Sequence, residues 1–248
     1  MKCIAVISQK GGVGKTTTTN ALGAGLYLKG NRVLCIDLCA QHNLSFTMGH
    51  TGGGHTSYDV LAGSAAAVDA IIHTPQGDLI PAGPDLASAD LTIKDPARLK
   101  EALLPVKKDY DFIILDTPPT LGIRTVNALT AAHSVIIPTQ ADTYSLQGIG
   151  QLYDTIRAVK AYSNKRLRID GILATRHNSR TIFTQDMTTL LEDTAAQIRT
   201  QVYNTKIREC VAIREAQNRQ QDIFTYSPRS NGAKDYRAFI EEVLQVER

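Results

Sequence analysis

Residues 9–17, with the sequence QKGGVGKTT, have the composition and spacing of a loop that binds nucleotide phosphates. Glycines let a backbone wrap around a phosphate with its N–H groups turned inward, and a following helix adds the positive end of its dipole. Lys15 is then placed to reach the β- and γ-phosphates, and the Thr16 hydroxyl to ligate Mg²⁺. The run predicts a site for ATP and Mg²⁺ formed by Gly11, Gly12, Val13, Gly14, Lys15, Thr16 and Thr17.

An aspartate at the end of a second apolar run completes this chemistry. Asp116 closes the run 112–116, and we expect it at a strand end beside the phosphate loop, where it suits outer-shell coordination of Mg²⁺. Taken alone, such an aspartate is a helix cap or turn residue about as often as a metal partner. Its expected position beside the loop favours the metal role.

Short runs rich in Val and Ile alternate with helix-length segments and must position these residues. The predicted strands are 2–8, 33–38, 112–116, 135–138 and 169–174, and the clearest predicted helices are 15–29, 146–161 and 184–201. Nearly continuous hydrophobicity is typical of strands buried on both faces of a parallel sheet. The alternation predicts an α/β fold, a mostly parallel sheet flanked by helices, in a single domain over residues 1–248.

The bulk composition is that of an ordinary globular protein, with 43% hydrophobic and 21% charged residues. The sequence contains no run of about 18 apolar residues that could span a membrane, and its first residues are too short for a signal peptide. We therefore expect a cytoplasmic protein. The four cysteines lack the spacing of a zinc or redox motif, so we expect buried free thiols.

The phosphate loop departs from the G-x-x-x-x-G-K-[ST] pattern, because Gln9 replaces the first glycine and Lys10 adds a second lysine. In this respect the sequence resembles the deviant-Walker ATPases, a family that includes the ParA/Soj partition ATPases, MinD and the nitrogenase iron protein. The resemblance implies an ATP-dependent homodimer in which Lys10 of one subunit reaches the nucleotide of the other.

The resemblance to ParA/Soj proteins covers nearly the whole chain. Segments 111–119, 137–140, 179–181 and 226–233 are also similar to that family. The resemblance implies a dimer that binds double-stranded DNA without sequence preference, a ParB-like partner protein and a nucleoid-associated location.

The end of the second strand differs from the family at one position that matters for catalysis. Relatives read Asp-x-Asp-Pro-Gln-Gly-Asn, whereas residues 37–43 read DLCAQHN. The resemblance implies that Asp37 supports Mg²⁺ or its water, and that Cys39 occupies the place of the carboxylate that activates the attacking water. A thiol titrates near ~8.5 and orients water poorly at neutral pH. The predicted catalytic residues are Lys10, Lys15, Asp37 and Cys39, and the predicted metal residues are Thr16, Asp37 and Asp116.

Loss of a positioned base typically lowers a rate by about 10²–10⁴-fold. Two interpretations remain open at this point. Either hydrolysis is severely reduced, or Asp37 or another group positions the water and turnover is merely slow.

The segment 199–237 is the best candidate for a DNA-binding surface. It contains eight Lys/Arg and four Asp/Glu residues, so its formal charge is +4, whereas the whole chain carries +3. Such a stretch suits contacts to phosphates that do not depend on sequence, although it can equally be a solvated helical face. The alignment of Glu215 and Ala216 with the family's Glu-Ala-Pro puts Ala212 where Soj-like chains often have arginine. The predicted DNA contacts are Arg199, Lys206, Arg208, Arg214 and Arg219.

Two other branches of the superfamily suggest different partners. A MinD-like membrane role needs a basic amphipathic C-terminal helix, whereas residues 235–248 are acidic and resemble a helix packed on the protein body. An iron–sulfur cluster needs thiolates from a suitable loop, and none of the cysteines lies where the iron protein keeps its ligands. We therefore expect a partition ATPase that segregates a plasmid, chromosome or mobile element. The alternatives are an ATP-locked DNA-binding scaffold with negligible hydrolysis and a MinD-like membrane-positioning ATPase.

Overall fold

The computed structural model describes residues 1–140, 142–178 and 182–245. The strands of this part of the chain are β1 Lys2–Val6, β2 Val33–Asp37, β3 Ile72–Thr74, β4 Gly77–Ile80, β5 Phe112–Asp116, β6 Ser134–Thr139, β7 Arg168–His177 and β8 Ile207–Arg208. They form one sheet in the order β3-β4-β2-β5-β1-β6-β7-β8. Every neighbouring pair is parallel except the β3–β4 hairpin. The predicted mostly parallel sheet is thus confirmed.

Helices connect the strands and cover the sheet. The α-helices of the described residues are α1 Lys15–Leu28, α2 Asn43–Thr47, α3 Ser57–Ala62, α4 Ala89–Thr92, α5 Arg98–Ala102, α6 Ile123–Ala131, α7 Thr143–Tyr162, α8 Ile182–Gln197, α9 Val211–Asn218, α10 Ile223–Tyr226 and α11 Asn231–Gln245. Short 3-10 helices lie at Ala67–Ala70, Pro84–Ser88 and Lys107–Asp109. The predicted helix 184–201 stops earlier than expected, and Arg199, just beyond its end, has the left-handed φ of 57°.

The core consists of two apolar layers, one on each face of the sheet. Alternate residues of β1 point to opposite layers, Cys3 and Ala5 to one and Ile4 and Val6 to the other. The first layer includes side chains of α5–α8, and the second includes those of α1, α10 and α11. Burial on both faces explains why these strands are apolar throughout rather than alternating.

Several features escape the sequence patterns or lie outside the described residues. The hairpin strands β3 and β4 and the two-residue β8 are too short to give a clear periodicity. The segment 179–181, which resembles Soj, and the last three residues of the acidic tail lie outside the described residues. The rest of that tail forms α11, which packs Tyr236, Phe239 and Ile240 into the core as predicted. No helix in the described ranges is both long and apolar enough to cross a bilayer.

Candidate nucleotide site

The phosphate loop joins β1 to α1 at the carboxyl edge of the sheet. Gly12 and Gly14 have φ values of 74° and 89°, a left-handed region that side chains other than glycine rarely adopt. Gly14 also precedes the first turn of α1, and no side chain caps that end of the helix. A Cβ added at Gly11 or Gly12 would meet no atom within 4 Å. The backbone therefore leaves room for an anion at the positive end of a 14-residue helix.

A cavity of about 610 Å³ opens beside this loop and is lined by residues 11–17. Its volume lies within the usual range for small-molecule sites, roughly 300–1,000 Å³. The rest of the wall comes from the turn after β2, from α2, from the segment after β5, from the end of β7, from the segment that includes β8 and α9, and from Tyr236 of α11. The cavity has the size and the donor groups that a nucleotide with its phosphates needs.

Lys15 lies in this cavity wall with its ammonium group held against the loop. Its Nζ donates to the carbonyl oxygen of Lys10 at 3.0 Å, and the residue is 8% exposed. Burial lowers the pKa of Lys15, and the charge of Asp116 opposes that shift. The phosphate loop thus presents a poorly solvated cation, which a phosphate would stabilise.

Asp116 lies beside Thr16 at the end of β5, and its role in binding a metal stays a prediction. Thr16 Oγ1 donates to Asp116 Oδ2 at 2.7 Å, and Thr19 Oγ1 donates to Oδ1 at 3.4 Å. Burial, followed by the charge of Asp37, raises the pKa of Asp116 to about 7. A hydroxyl and a carboxylate oxygen next to a phosphate loop are the hard ligands that Mg²⁺ prefers.

Asp37 is paired with Asp116 in the β2–β5 register, but its carboxylate is engaged elsewhere. It accepts hydrogen bonds from Cys39 N at 3.0 Å, Ser45 N at 2.9 Å and Ser45 Oγ at 2.7 Å. Burial raises the pKa of this fully buried group. Asp37 holds the turn after β2 against α2 and does not line the cavity, so its metal and catalytic roles stay predictions.

Cys39 does line the cavity, on the wall that α2 and the β2 turn provide. The residue is 7% exposed, and burial raises the pKa of its thiol. Cys3 and Cys35 are buried free thiols, as expected. Cys210 is only half-buried and contributes to the cavity wall, contrary to the expectation of burial for all four.

Lys10 points away from this cavity towards the start of α7. Its Nζ forms a salt bridge with Asp142, the N-cap residue of α7. The Asp142 carboxylate also accepts from Ser145 N at 3.0 Å. Burial alone would raise the pKa of Asp142, but the bonds from Lys10 and Ser145 outweigh it and lower the pKa. Within one chain, Lys10 is therefore an intramolecular ion-pair partner.

The predicted DNA contacts fall into different environments. Arg199, Arg214 and Arg219 are exposed, whereas Lys206 is half-buried and donates to the carbonyl of Tyr203 at 2.6 Å. Burial lowers the pKa of Lys206.

Two of the predicted DNA contacts face the cavity. Arg208 makes a bidentate contact with Asp235, with Nη2–Oδ1 at 2.5 Å and Nε–Oδ2 at 2.9 Å. Arg208 and Arg214 both line the nucleotide cavity. The basic segment thus borders the site rather than forming a remote, uniform patch.

Tertiary contacts to the loop come from residues to which the sequence analysis assigned no role at the site. Thr175 Oγ1 donates to Val13 O at 2.8 Å, and Gln140 Nε2 donates to Gly12 O at 3.3 Å. Gln217 Nε2 donates to Thr17 Oγ1 at 3.0 Å. The sequence did mark Gln217 as unusual, because this residue follows Glu215 and Ala216 at the place where the family's Glu-Ala-Pro motif has proline.

The sheet, the glycine-rich turn and the buried Lys15 together define the class: a P-loop nucleotide-binding protein with a second lysine in its loop. Comparison with known proteins narrows the class. The family model AAA_31, described as an AAA domain, matches residues 1–169. The sporulation initiation inhibitor protein Soj of Bacillus subtilis is 41% identical over 250 residues, covering 98% of both chains. The chromosome partitioning protein ParA of Caulobacter vibrioides is 36% identical, covering 100% of this chain and 96% of its own.

A solved structure agrees with this placement. Cobyrinic acid a,c-diamide synthase from Mycobacterium smegmatis, with bound ATP analog and magnesium, is 35% identical with a TM-score of 0.83. The match covers 99% of this chain and 95% of the other. The chain belongs to the ParA/Soj family of partition ATPases.

Proposed function

We propose that this protein binds ATP and Mg²⁺, dimerises on ATP, binds double-stranded DNA without sequence preference and hydrolyses ATP slowly during DNA partition. One observation carries the proposal: a phosphate loop with two left-handed glycines and a buried lysine faces a cavity of nucleotide size. The bound nucleotide and magnesium of the M. smegmatis relative support the choice of ligand.

The phosphates would lie against the loop N–H groups, the Lys15 ammonium and the first turn of α1. Mg²⁺ would be held by the Thr16 hydroxyl and, through its water shell, by Asp116. When bound, Mg²⁺ neutralises charge on the β- and γ-phosphates. Asp37 would act on the site indirectly, because its hydrogen bonds fix the turn that carries Cys39.

Slow hydrolysis follows from the chemistry of Cys39. The side chain lines the cavity where a water would attack, and a buried neutral thiol is a weak acceptor for that water. Slow turnover would give the ATP-bound dimer a long lifetime. Negligible turnover, the ATP-locked scaffold, is the limiting case of the same argument.

Dimerisation requires Lys10 to leave Asp142. The pair is about one-third exposed, with side-chain exposures of 33% and 26%, so it holds Lys10 only weakly. Release would free an ammonium group at the edge of the loop for the partner's nucleotide. The intramolecular pair is thus compatible with a role across the dimer interface.

We further propose that residues 1–248 form one ATPase domain, which the continuous eight-stranded sheet supports. A ParB-like protein would be its partner, and the protein would act in the cytoplasm on the nucleoid. The similarity to a chromosome partitioning protein over the whole chain supports these proposals.

The central test is a nucleotide titration of the wild type and Lys15→Ala. Because Lys15 is the loop cation closest to the expected phosphates, we expect the variant to bind ATP at least ~100-fold more weakly. A loss of this size matches the free energy of a hydrogen bond to a charged group, roughly 1.5–3 kcal/mol. Lys107→Ala, on an exposed 3-10 helix, is a matched control. An unchanged ATP affinity of Lys15→Ala would refute the proposed nucleotide site. A separate assay, ATP turnover with and without DNA, tests the proposed activity.

A further inference from the structure

The start of α1 carries four consecutive threonines, and together they bond to three different parts of the fold. Thr16 and Thr19 contact Asp116, and Thr18 Oγ1 lies 3.1 Å from the hydroxyl of Tyr236 on α11. Thr17 accepts a hydrogen bond from Gln217 on α9. The last contact joins the phosphate loop to a helix 200 residues away that carries Arg214 and precedes Arg219.

The direction of this bond decides what the Thr17 hydroxyl can do. A threonine hydroxyl has one proton to donate and two lone pairs that accept. Because the Gln217 amide N–H occupies a lone pair, the proton of Thr17 remains available for another acceptor. Thr17 and Gln217 both line the cavity, where a phosphate oxygen would be that acceptor.

We propose that Gln217 is a positioning residue for the phosphate site. It orients the Thr17 hydroxyl as a donor towards a nucleotide phosphate, and it thereby lets bound nucleotide stabilise α9. The proposal rests on the proposed ATP site and adds a residue that acts through Thr17. With nucleotide bound, the Gln217 amide would donate to the Thr17 hydroxyl and the hydroxyl would donate to a phosphate oxygen, and charge-assisted bonds of this kind are stronger than neutral ones.

Two local facts make Gln217 suited to this role. Its neighbour Ala216 is 1% exposed and anchors α9 in the second core layer, so the Gln217 backbone is fixed. The Gln217 side chain itself is half-buried, which limits competition by water. A hydrocarbon or proline at this position could not donate to Thr17.

The test is a double-mutant cycle of ADP·Mg²⁺ affinity, measured by calorimetry on the full chain. Gln217→Ala should weaken ADP binding about 3- to 10-fold, the range that one net hydrogen bond gives. Gln217→Glu should weaken it more, because a carboxylate accepts the Thr17 proton and repels the phosphates. In a Thr17→Val background, Gln217→Ala should change affinity less than 2-fold. Gln221→Ala, an exposed glutamine just beyond α9, is the matched control.

Hydrogen exchange supplies a readout that a purely structural bond would not move. ADP should slow exchange of the α9 amides in the wild type and in Gln221→Ala, and this slowing should be lost in Gln217→Ala. The proposal is overturned if Gln217→Ala binds ADP like the wild type, if its effect persists in Thr17→Val, or if α9 responds to ADP without Gln217. If the wild type and Lys15→Ala bind ADP equally, the proposed site fails instead.

Discussion

At the scale of single residues, Cys39 is the side chain that we propose limits turnover. The thiol occupies the cavity wall at the end of β2, where its relatives in the ParA/Soj family place an aspartate. Burial and the charges of Asp116 and Asp37 raise the pKa of the Cys39 thiol, and the charge of Lys15 opposes them. A carboxylate at this position would therefore lie near two like charges, and its ionised form would rely on Lys15 for compensation.

Cys39→Asp should raise single-turnover ATP hydrolysis by at least ~10-fold, near the lower end of general-base effects. Cys39→Asn, which has the same shape without the charge, should leave the rate within ~2-fold of the wild type. Quenched-flow measurement of ADP formation checks both. If the wild type already matches the Asp variant, Cys39 only packs, and another group positions the water.

The ion pair between Lys10 and Asp142 leads to a second prediction, which concerns ATP-dependent dimerisation. Asp142→Asn removes the charge that holds Lys10 but retains an N-cap side chain for α7. Because partly exposed pairs are worth about 0–1 kcal/mol, the variant should dimerise at an ATP concentration up to ~5-fold lower. Light scattering across an ATP titration measures this.

Lys10→Ala is the partner variant, and it should remain a monomer that still binds nucleotide. A Lys10→Ala protein that dimerises like the wild type would remove the role of Lys10 across the interface. An unchanged midpoint for Asp142→Asn would mean that the pair does not hold Lys10 back.

At the scale of elements, α1 must pack closely to hold the phosphate loop at the sheet edge. Gly23 and Gly25 allow this approach, since a Cβ at Gly23 would lie 2.5 Å from Cys35 Sγ. A Cβ at Gly25 would lie 2.2 Å from Ile240 Cδ1 and 3.0 Å from Phe224 Cε2. Both glycines lie in the helix interior despite the cost of glycine there, because the neighbouring β2, α10 and α11 leave no room.

Gly25→Ala should therefore lower the free energy of unfolding by about 1–2 kcal/mol, since overpacking costs about 1–3 kcal/mol and improved helix propensity returns up to about 1. Gly150→Ala in α7 is the control, because a Cβ there meets nothing within 4 Å. That variant should be neutral or slightly more stable. Urea unfolding of both tests the packing, and equal effects would contradict it.

At the scale of the whole molecule, the proposed DNA binding would depend on which basic side chains face the solvent. Arg214 and Arg219 are exposed on and just after α9, while Arg208 is committed to Asp235. Sequence-independent binding rests on the number of phosphates neutralised rather than on net charge. Arg214 and Arg219 should therefore contribute more than the paired Arg208, although Arg214 also borders the nucleotide cavity.

Replacement of Arg214 and Arg219 by Gln should weaken DNA binding equally across sequences and reduce the salt slope by about 0.9 per lost contact. Arg208→Gln should have a smaller effect on affinity. Fluorescence anisotropy at several salt concentrations, with ATP present, measures both. If affinity and slope survive the double replacement, the basic segment is a solvated face.

The sequence alone was enough to predict the mostly parallel sheet, the longer helices and the phosphate loop. These features depend on neighbouring residues: nine consecutive residues carry the loop, and apolar runs of about five residues mark the central strands. The same local information exposed the unusual Cys39. It did not reveal β8 or the β3–β4 hairpin, because two to four residues carry too little periodicity.

Only the tertiary structure decided where the remaining polar groups find partners. The contacts of Lys10 with Asp142 and of Thr17 with Gln217 join residues 132 and 200 positions apart. Likewise, the sequence shows Arg208 only as one more positive charge, whereas in the structure Asp235 of α11 forms an ion pair with it. Such pairings arise because the packing of helices on both sheet faces, not the order of residues, determines which side chains meet.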